Sequence, residues 1–536
     1  MGKKYDKIFG IRCIFCFFFI VLLMFISALR IYRINFLDYQ ETAKAQSSFS
    51  LEVAKYRGVI YDCNLVPMVG NTSKYVAAVP PTPKAAVGLR KLLSGERLQQ
   101  ALQRLEGGKP ILVDVPAYIE TDGIEILSVP SRYKNDQPAA HIIGYLDSSG
   151  HGTAGIEAAY DDILYSNQSL TIRYFIDAWG RVLPGAEPEI NGITGSTNSG
   201  IALTIDLKIQ EIVEQAAEKL QTGAVVVLEV GSGKIRAITS KPSFNSNAIS
   251  ESLNNPLSPL FNRALAAYDV GSGFKPLIAA AAIEKGISPN YQYTCTGSIE
   301  IGGKVFKCHN ELGHGQLNMK SALAVSCNTY FYHLASITGA EALHSMATSL
   351  GFGQQRIIAR NIVADKGNLT SLEVLKTQPA ALANFAIGQG DLLLSPIALA
   401  SLYEAIANGG VYHAPTIIEG IVENGNITSV EEKAAYTKIM KESTAKFLKE
   451  CLINVVENGT GQKAKPEKNG AGGKTATAQT GWGGSNSVHG WFNGFFPADN
   501  PKYVVIILAE NGVSGSQSCA PVFKEIADNI NALENN

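Results

Sequence analysis

The sequence predicts an α+β fold whose larger domain is built around one antiparallel sheet. Three observations carry this. Two adjacent apolar runs, Ala224–Glu229 and Lys234–Ser240, are joined by Val230-Gly231-Ser232-Gly233, a hairpin signature. Three further strand candidates, Gly472–Gln479, Trp491–Phe496 and Tyr503–Ala509, lie near the C-terminus. The chain between these two groups reads mostly as helix. Two early strands and three late ones then form a five-stranded sheet around a helical insert. A chain of 536 residues also exceeds one ordinary core, so a further domain is expected.

Taken in order, the elements begin with an apolar segment. Lys3, Lys4, Lys7 and Arg12 precede Cys13–Leu29, 17 residues without a charge, and Arg30 and Arg33 follow. That length just spans a bilayer core as a helix. Basic residues on the short N-terminal side place that end in the cytoplasm. A cleaved signal peptide needs a shorter apolar region and a small-x-small cleavage site. Ala28-Leu29-Arg30 is bulky and basic, which favours an uncleaved anchor. Residues 1–35 are thus the cytoplasmic tail and anchor, and the rest lies outside the cytoplasm.

Residues 36–56 read as a polar helical stalk. A mixed α/β region of 36–195 includes the strand-like Val59-Ile60-Tyr61 and Ile111-Leu112-Val113 and one amphipathic helix around Ala85–Leu105. Pro80-Pro81-Thr82-Pro83 breaks the chain before that helix. Gly192–Gly200 is a linker by composition. The main domain, 200–536, starts with the strand-like 202–205. A helix, Leu207–Leu220, follows, with Asp206 as its N-cap. Pro521–Leu533 is a closing helix.

Composition excludes some functions. A formal net charge of −1 gives no nucleic-acid footprint. No H-E-x-x-H pair is present. Three short elements point to chemistry instead. The first is Ser272-Gly273-Phe274-Lys275, at the start of the Ala-rich helix Pro276–Lys285. At i and i+3, Ser272 and Lys275 share a helix face. A serine alcohol needs an adjacent base, and a desolvated lysine can serve. Alone, the pattern also fits an N-cap serine followed by a solvated lysine. The second is Ser326-Cys327-Asn328, between the helical run Met319–Val325 and Tyr330-Phe331-Tyr332. Its hydroxyl suits a proton relay and its amide suits holding Lys275 or a substrate carbonyl. The third is Lys474-Thr475-Ala476-Thr477 in a strand. Alternation puts Lys474 and Ala476 on one face, Thr475 and Thr477 on the other. A lysine and hydroxyls along a strand edge can grip a carboxylate.

The order of the three, separated by about 50 and then about 150 residues, is that of the penicillin-recognising serine enzymes. The chain resembles class B penicillin-binding proteins over nearly its whole length. Supporting matches are Arg57-Gly58-Val59-Ile60-Tyr61-Asp62, Arg132, His141-Ile142-Ile143-Gly144, Gly155-Ile156-Glu157, Asn262-Arg263-Ala264, Gly313-His314-Gly315, Gly388-Gln389-Gly390 and Trp491-Phe492-Asn493-Gly494-Phe495. The resemblance implies a transpeptidase domain of the serine β-lactamase-like fold, preceded by a pedestal domain and one transmembrane helix. It implies that Ser272 attacks the penultimate D-alanine of a stem peptide, with Lys275 as base. Ser326 and Lys474 would return a proton to the leaving D-alanine, and Asn328 would position Lys275 and the substrate. Thr475 and Thr477 would bind a terminal carboxylate, of substrate or of a β-lactam. It implies no metal or organic cofactor. As partners it implies peptidoglycan stem peptides and a multi-span glycan-polymerising membrane protein.

Ala476 departs from the family's usual glycine. Its methyl is expected in or beside the cleft, where it narrows the site. Cys295 and Cys308 either pair across a hairpin or remain free thiols. Cys327 reads as a small buried residue, and His309, His314 and His489 as structural. Two rival readings share the three elements: a D,D-carboxypeptidase or β-lactamase, and a weakly active β-lactam-binding scaffold. No E-x-x-L-N element, which carries the deacylating glutamate of class A β-lactamases, lies between Asn328 and Lys474.

Overall fold

The computed structural model describes residues 2–36, 46–192, 199–429, 435–479 and 488–535. Most of the expected linker, residues 193–198, lies outside that set. The described chain divides into two compact units. The first gathers Met1–Tyr56, Ser73–Pro130 and Asn167–Gly195; the second gathers Arg57–Thr72, Ser131–Ser166 and Ser196–Asn536.

The first unit opens with a helix, Gly2–Phe36, of which Lys7–Ile34 is long and apolar enough to cross a membrane. Its phenylalanines stand exposed, Phe15 at 76%, a state that water disfavours and lipid accepts. Of the expected helical stalk, residues 37–45 lie outside the described residues, and residues 48–56 are extended rather than helical. Ser48–Arg57 is a strand that shares a sheet with Tyr165–Phe175 and Glu189–Asn191. Val53 and Tyr56 join Val76, Val129 and Leu170 in one apolar cluster. A second sheet is formed by Ile111–Val115, Thr72–Val79 and Glu125–Ser131. The single helix expected around residues 85–105 is two, Pro83–Leu92 and Gly95–Leu105. Leu93 and Ser94 adopt extended backbone and Gly95 a φ of +60°, which ends one helix and starts the next. Thr82 caps the first of them by accepting a hydrogen bond from Ala85 N.

The second unit holds the expected five-stranded sheet. Its strands are β1 (Gly223–Glu229), β2 (Ile235–Lys241), β3 (Gly472–Gln479), β4 (Val488–Phe496) and β5 (Tyr503–Ala509). They run antiparallel in the order β2-β1-β5-β4-β3. The run Val225-Val226-Val227-Leu228 is apolar throughout because both faces of the sheet are covered. Val226 and Leu228 enter one core cluster; Val225 and Val227 enter the other. The second cluster is closed by helices α1 (Leu207–Ala217) and α6 (Ala520–Asn535). Asp206 caps α1 as expected, its carboxylate accepting from Lys208 N and Ile209 N. The first and larger cluster holds the helical insert, including α2 (Lys275–Glu284), α3 (Asn328–Thr338), α4 (Pro396–Ala407) and α5 (Glu442–Asn458).

Several sequence motifs find their reason here. Glu157 is fully buried and accepts hydrogen bonds from Arg57 Nε (2.6 Å), Arg132 Nε (2.7 Å) and the Tyr133 hydroxyl (3.0 Å). Arg57, Arg132 and Glu157 thus form one desolvated ion cluster, and all three residues pack in the second unit. Arg263 of the Asn262-Arg263-Ala264 motif pairs with Glu510 at 2.7 Å, just beyond β5. Tyr268 donates to the same carboxylate at 2.6 Å. The segment leading to Ser272 is thereby tied to the sheet.

Candidate active site

Ser272 lies in a tight turn, Gly271–Phe274, that runs directly into α2. The turn has φ of +53° at Gly271. Gly271 donates its N–H to Gly388 O at 2.9 Å. A side chain on Gly388 would meet Gly271 O at 2.1 Å, so only glycine lets the two segments approach. Tyr403, fully buried on α4, donates to Gly273 O at 2.9 Å. The turn is therefore gripped from two sides. Ser272 itself is half-buried, and its hydroxyl receives no hydrogen bond from the described residues.

Lys275 is completely buried. Its Nζ donates to Ser326 O (2.7 Å), Asn328 Oδ1 (2.7 Å) and Ser326 Oγ (3.3 Å), and it sits 5.5 Å from the Phe331 ring centre. The three residues expected to share a site meet in these bonds. Burial pushes the Lys275 ammonium down to about 7. Ser326 occupies the turn between the helix Met319–Ala324 and α3, with a φ of +56°. A non-glycine residue held there carries strain, and such residues concentrate at functional sites. Asn328 opens α3, so its side chain is fixed by the helix start.

Lys474 sits on β3 and is also completely buried. It donates to Thr475 O at 2.9 Å. Burial first, and then the positive charge of Lys275, push it well below the usual lysine range. Two ammonium groups sharing so dry a site disfavour each other. The alternation along β3 follows the expected pattern. Thr475 is buried and shares a 2.7 Å hydrogen bond with Thr460, while Thr477 is exposed and accepts from Gly515 N at 3.3 Å. The strand lies close to the serine turn, since a side chain on Gly271 would stand 3.1 Å from Thr477 O.

Ala476 lies beside the serine turn. Its methyl does not project into an open cleft. The residue is 3% exposed and belongs to the large core cluster. The methyl lies 3.8 Å from where a side chain on Gly273 would begin, under the serine turn. It shares the inner face of β3 with Lys474, away from Thr475 and Thr477.

Of the two readings of Cys295 and Cys308, the structure has free thiols. Thr460 and Tyr403 were not legible as site residues. Only the fold brings them to β3 and the serine turn.

Comparison with known proteins places this geometry. Residues 223–528 match the penicillin binding protein transpeptidase domain. Stage V sporulation protein D of Bacillus subtilis is 26% identical over 97% of this chain and 84% of its own length. Peptidoglycan D,D-transpeptidase MrdA of Haemophilus influenzae is 29% identical over 74% of this chain and 65% of its own. The fold is similar to that of penicillin-binding protein PBP2 from Helicobacter pylori, with a TM-score of 0.70, 22% identity and coverage of 90% and 99% of the two chains.

Proposed function

The chain belongs to the penicillin binding protein transpeptidase family, and from that premise we infer that it cross-links peptidoglycan through an acyl-enzyme on Ser272. The observation that carries this reading is the buried Lys275 ammonium, bonded to both Ser326 and Asn328 one helical turn from Ser272.

Neutral Lys275 takes the Ser272 proton as Oγ attacks the penultimate D-alanine carbonyl. The backbone N–H groups of Ser272 and Thr477 stabilise the tetrahedral oxyanion. Ser326, with Lys474 beside it, passes a proton to the departing D-alanine amine as the peptide C–N bond breaks. Thr475 and Thr477 hold the terminal carboxylate. An amine of a neighbouring stem peptide then attacks the ester, and the Ser272 hydroxyl is regenerated. A β-lactam enters by the same first step and remains bound as the ester. The N-terminal helix anchors the chain with its N-terminus in the cytoplasm and its second unit outside. Glycan strands come from a separate multi-span polymerase.

The test is a reaction of the full chain with a stem pentapeptide and an amine acceptor, analysed by mass spectrometry. Cross-linked dimer as the main product supports the reading. Release of D-alanine with water as acceptor makes the protein a carboxypeptidase, and rapid turnover of penicillin makes it a β-lactamase.

A further inference from the structure

Arg356 opens the strand Arg356–Ala359 and is 8% exposed, so its charge is buried. A guanidinium stays protonated in proteins and carries five N–H donors. Here Nη1 donates to the Ser401 hydroxyl on α4 (3.0 Å) and to the Tyr412 hydroxyl (2.5 Å), and Nη2 donates to Leu350 O. Nε has no partner. Three of the five donors are thus matched, all by neutral oxygens. The Phe352 and Tyr412 rings lie 5.8 and 5.5 Å from the guanidinium carbon. They attract a cation but bring no opposite charge. Leu350 O belongs to the end of the helix Ala340–Ser349, which supplies about half a negative charge at most. Among the described residues no carboxylate pairs with Arg356. Arg263, the other buried arginine of that set, is matched by Glu510 at 2.7 Å. A buried charge without a counter-charge is costly, so Arg356 calls for an anion that the described residues do not provide.

The same side chain forms part of the wall of an open pocket of about 310 Å³, which Gly351, Gln354, Tyr412 and Thr437 also line. Gly351 has a φ of +72° and leaves the guanidinium uncovered. A Cβ at Gly351 would stand 3.5 Å from Arg356 Nη2, 3.8 Å from Cζ and 4.0 Å from Gln354 Oε1. Space that a side chain would fill therefore lies against Nη2. The two unmatched hydrogens sit on Nε and Nη2, adjacent nitrogens of one planar group. Adjacent guanidinium nitrogens engage the two oxygens of a carboxylate or phosphate through parallel bonds. The Tyr412 hydroxyl accepts from Nη1, which leaves its own hydrogen for the same ligand.

We propose that this pocket binds the carboxylate or phosphate end of a small molecule, with Arg356 as its counter-charge. Tyr412, Thr437 and Gln354 supply the neutral polar contacts. The volume is more than a bare ion needs and falls at the low end of small-molecule sites, about 300–1,000 Å³. Binding makes and breaks no covalent bond. None of the lining residues belongs to the Ser272 site, so the pocket stands whether or not that site cross-links peptidoglycan.

The test uses the full chain purified in detergent, in a buffer free of phosphate and carboxylate. Inorganic phosphate is added at constant ionic strength, with chloride as the reference, and followed by thermal melts and calorimetric titration. Phosphate is expected to give a saturable rise in Tm of about 2 °C or more, and chloride none. Gln354→Glu sets a carboxylate beside Nη2. It is expected to raise Tm in the absence of phosphate and to abolish the phosphate response. That variant adds a partner to Arg356, so it decides the matter even when Arg356→Met does not fold. A stem pentapeptide is then titrated into protein whose Ser272 site has been closed with penicillin. Peptide binding that phosphate displaces identifies a peptide carboxylate as a ligand, and a response to phosphate alone identifies the phosphate group. A phosphate response no larger than that of chloride, with no peptide binding, would overturn the proposal. So would peptide binding indifferent to phosphate, or a Gln354→Glu variant that keeps the full phosphate response.

Discussion

Replacing Ala476 with glycine, the residue usual in the family, separates packing from chemistry at this site. The methyl is buried on the inner face of β3, against the Gly273 turn and the core. Its removal forfeits about 0.8 kcal/mol of burial. Glycine within a strand costs a further 0.5–1 kcal/mol or so in backbone entropy. Ala476→Gly is therefore expected to destabilise the protein by about 1.5 kcal/mol, a fall of a few degrees in Tm. Thr475 and Thr477, on the other face of the strand, keep their hydroxyls, so the second-order rate of acylation by a fluorescent penicillin should stay within about twofold. The two assays are a thermal melt and a stopped-flow acylation on the same preparation. A tenfold change in acylation, about 1.4 kcal/mol of barrier, with no change in Tm would refute the reasoning. It would mean that the methyl reaches the cleft after all.

Further outcomes follow from the same geometry. Lys275 acts as base only when neutral, and burial holds it to about 7, so acylation should rise with pH through about 7 and level off above it; a flat profile across neutrality would contradict this. Thr477→Ala removes an exposed hydroxyl, so Tm should hold while acylation efficiency drops about 10- to 100-fold, as expected for a lost hydrogen bond to a carboxylate. Unchanged kcat/KM with a D-Ala-D-Ala substrate would remove Thr477 from the binding site. Glu157→Gln leaves Arg132 buried without a charge partner, while Arg57 keeps Asp161, and should cost about 3 kcal/mol in urea unfolding. A loss below about 1 kcal/mol would show the cluster to be solvated in solution.

Much of the fold was legible because its signals are local. The hairpin of β1 and β2, the Asp206 cap and the late strands are written in runs of a few residues. The stalk misled because strand Ser48–Arg57 takes its partners, Tyr165–Phe175 and Glu189–Asn191, from far along the chain. The helix around residues 85–105 was read as one because Ser94-Gly95 is too short a break to interrupt its periodicity. At the site, spacing pointed to Lys275, Ser326 and Asn328, which hydrogen bonds join in the fold. Spacing did not say where the Ala476 methyl points. That depends on how closely the Gly271–Phe274 turn approaches β3.

The central claim is that Ser272 carries the acyl group. Labelling the full chain with a fluorescent penicillin, followed by proteolysis and peptide mapping, tests it most directly. The account predicts a single ester on Ser272, absent in Ser272→Ala. Label on another residue, or none on a folded protein, would contradict it.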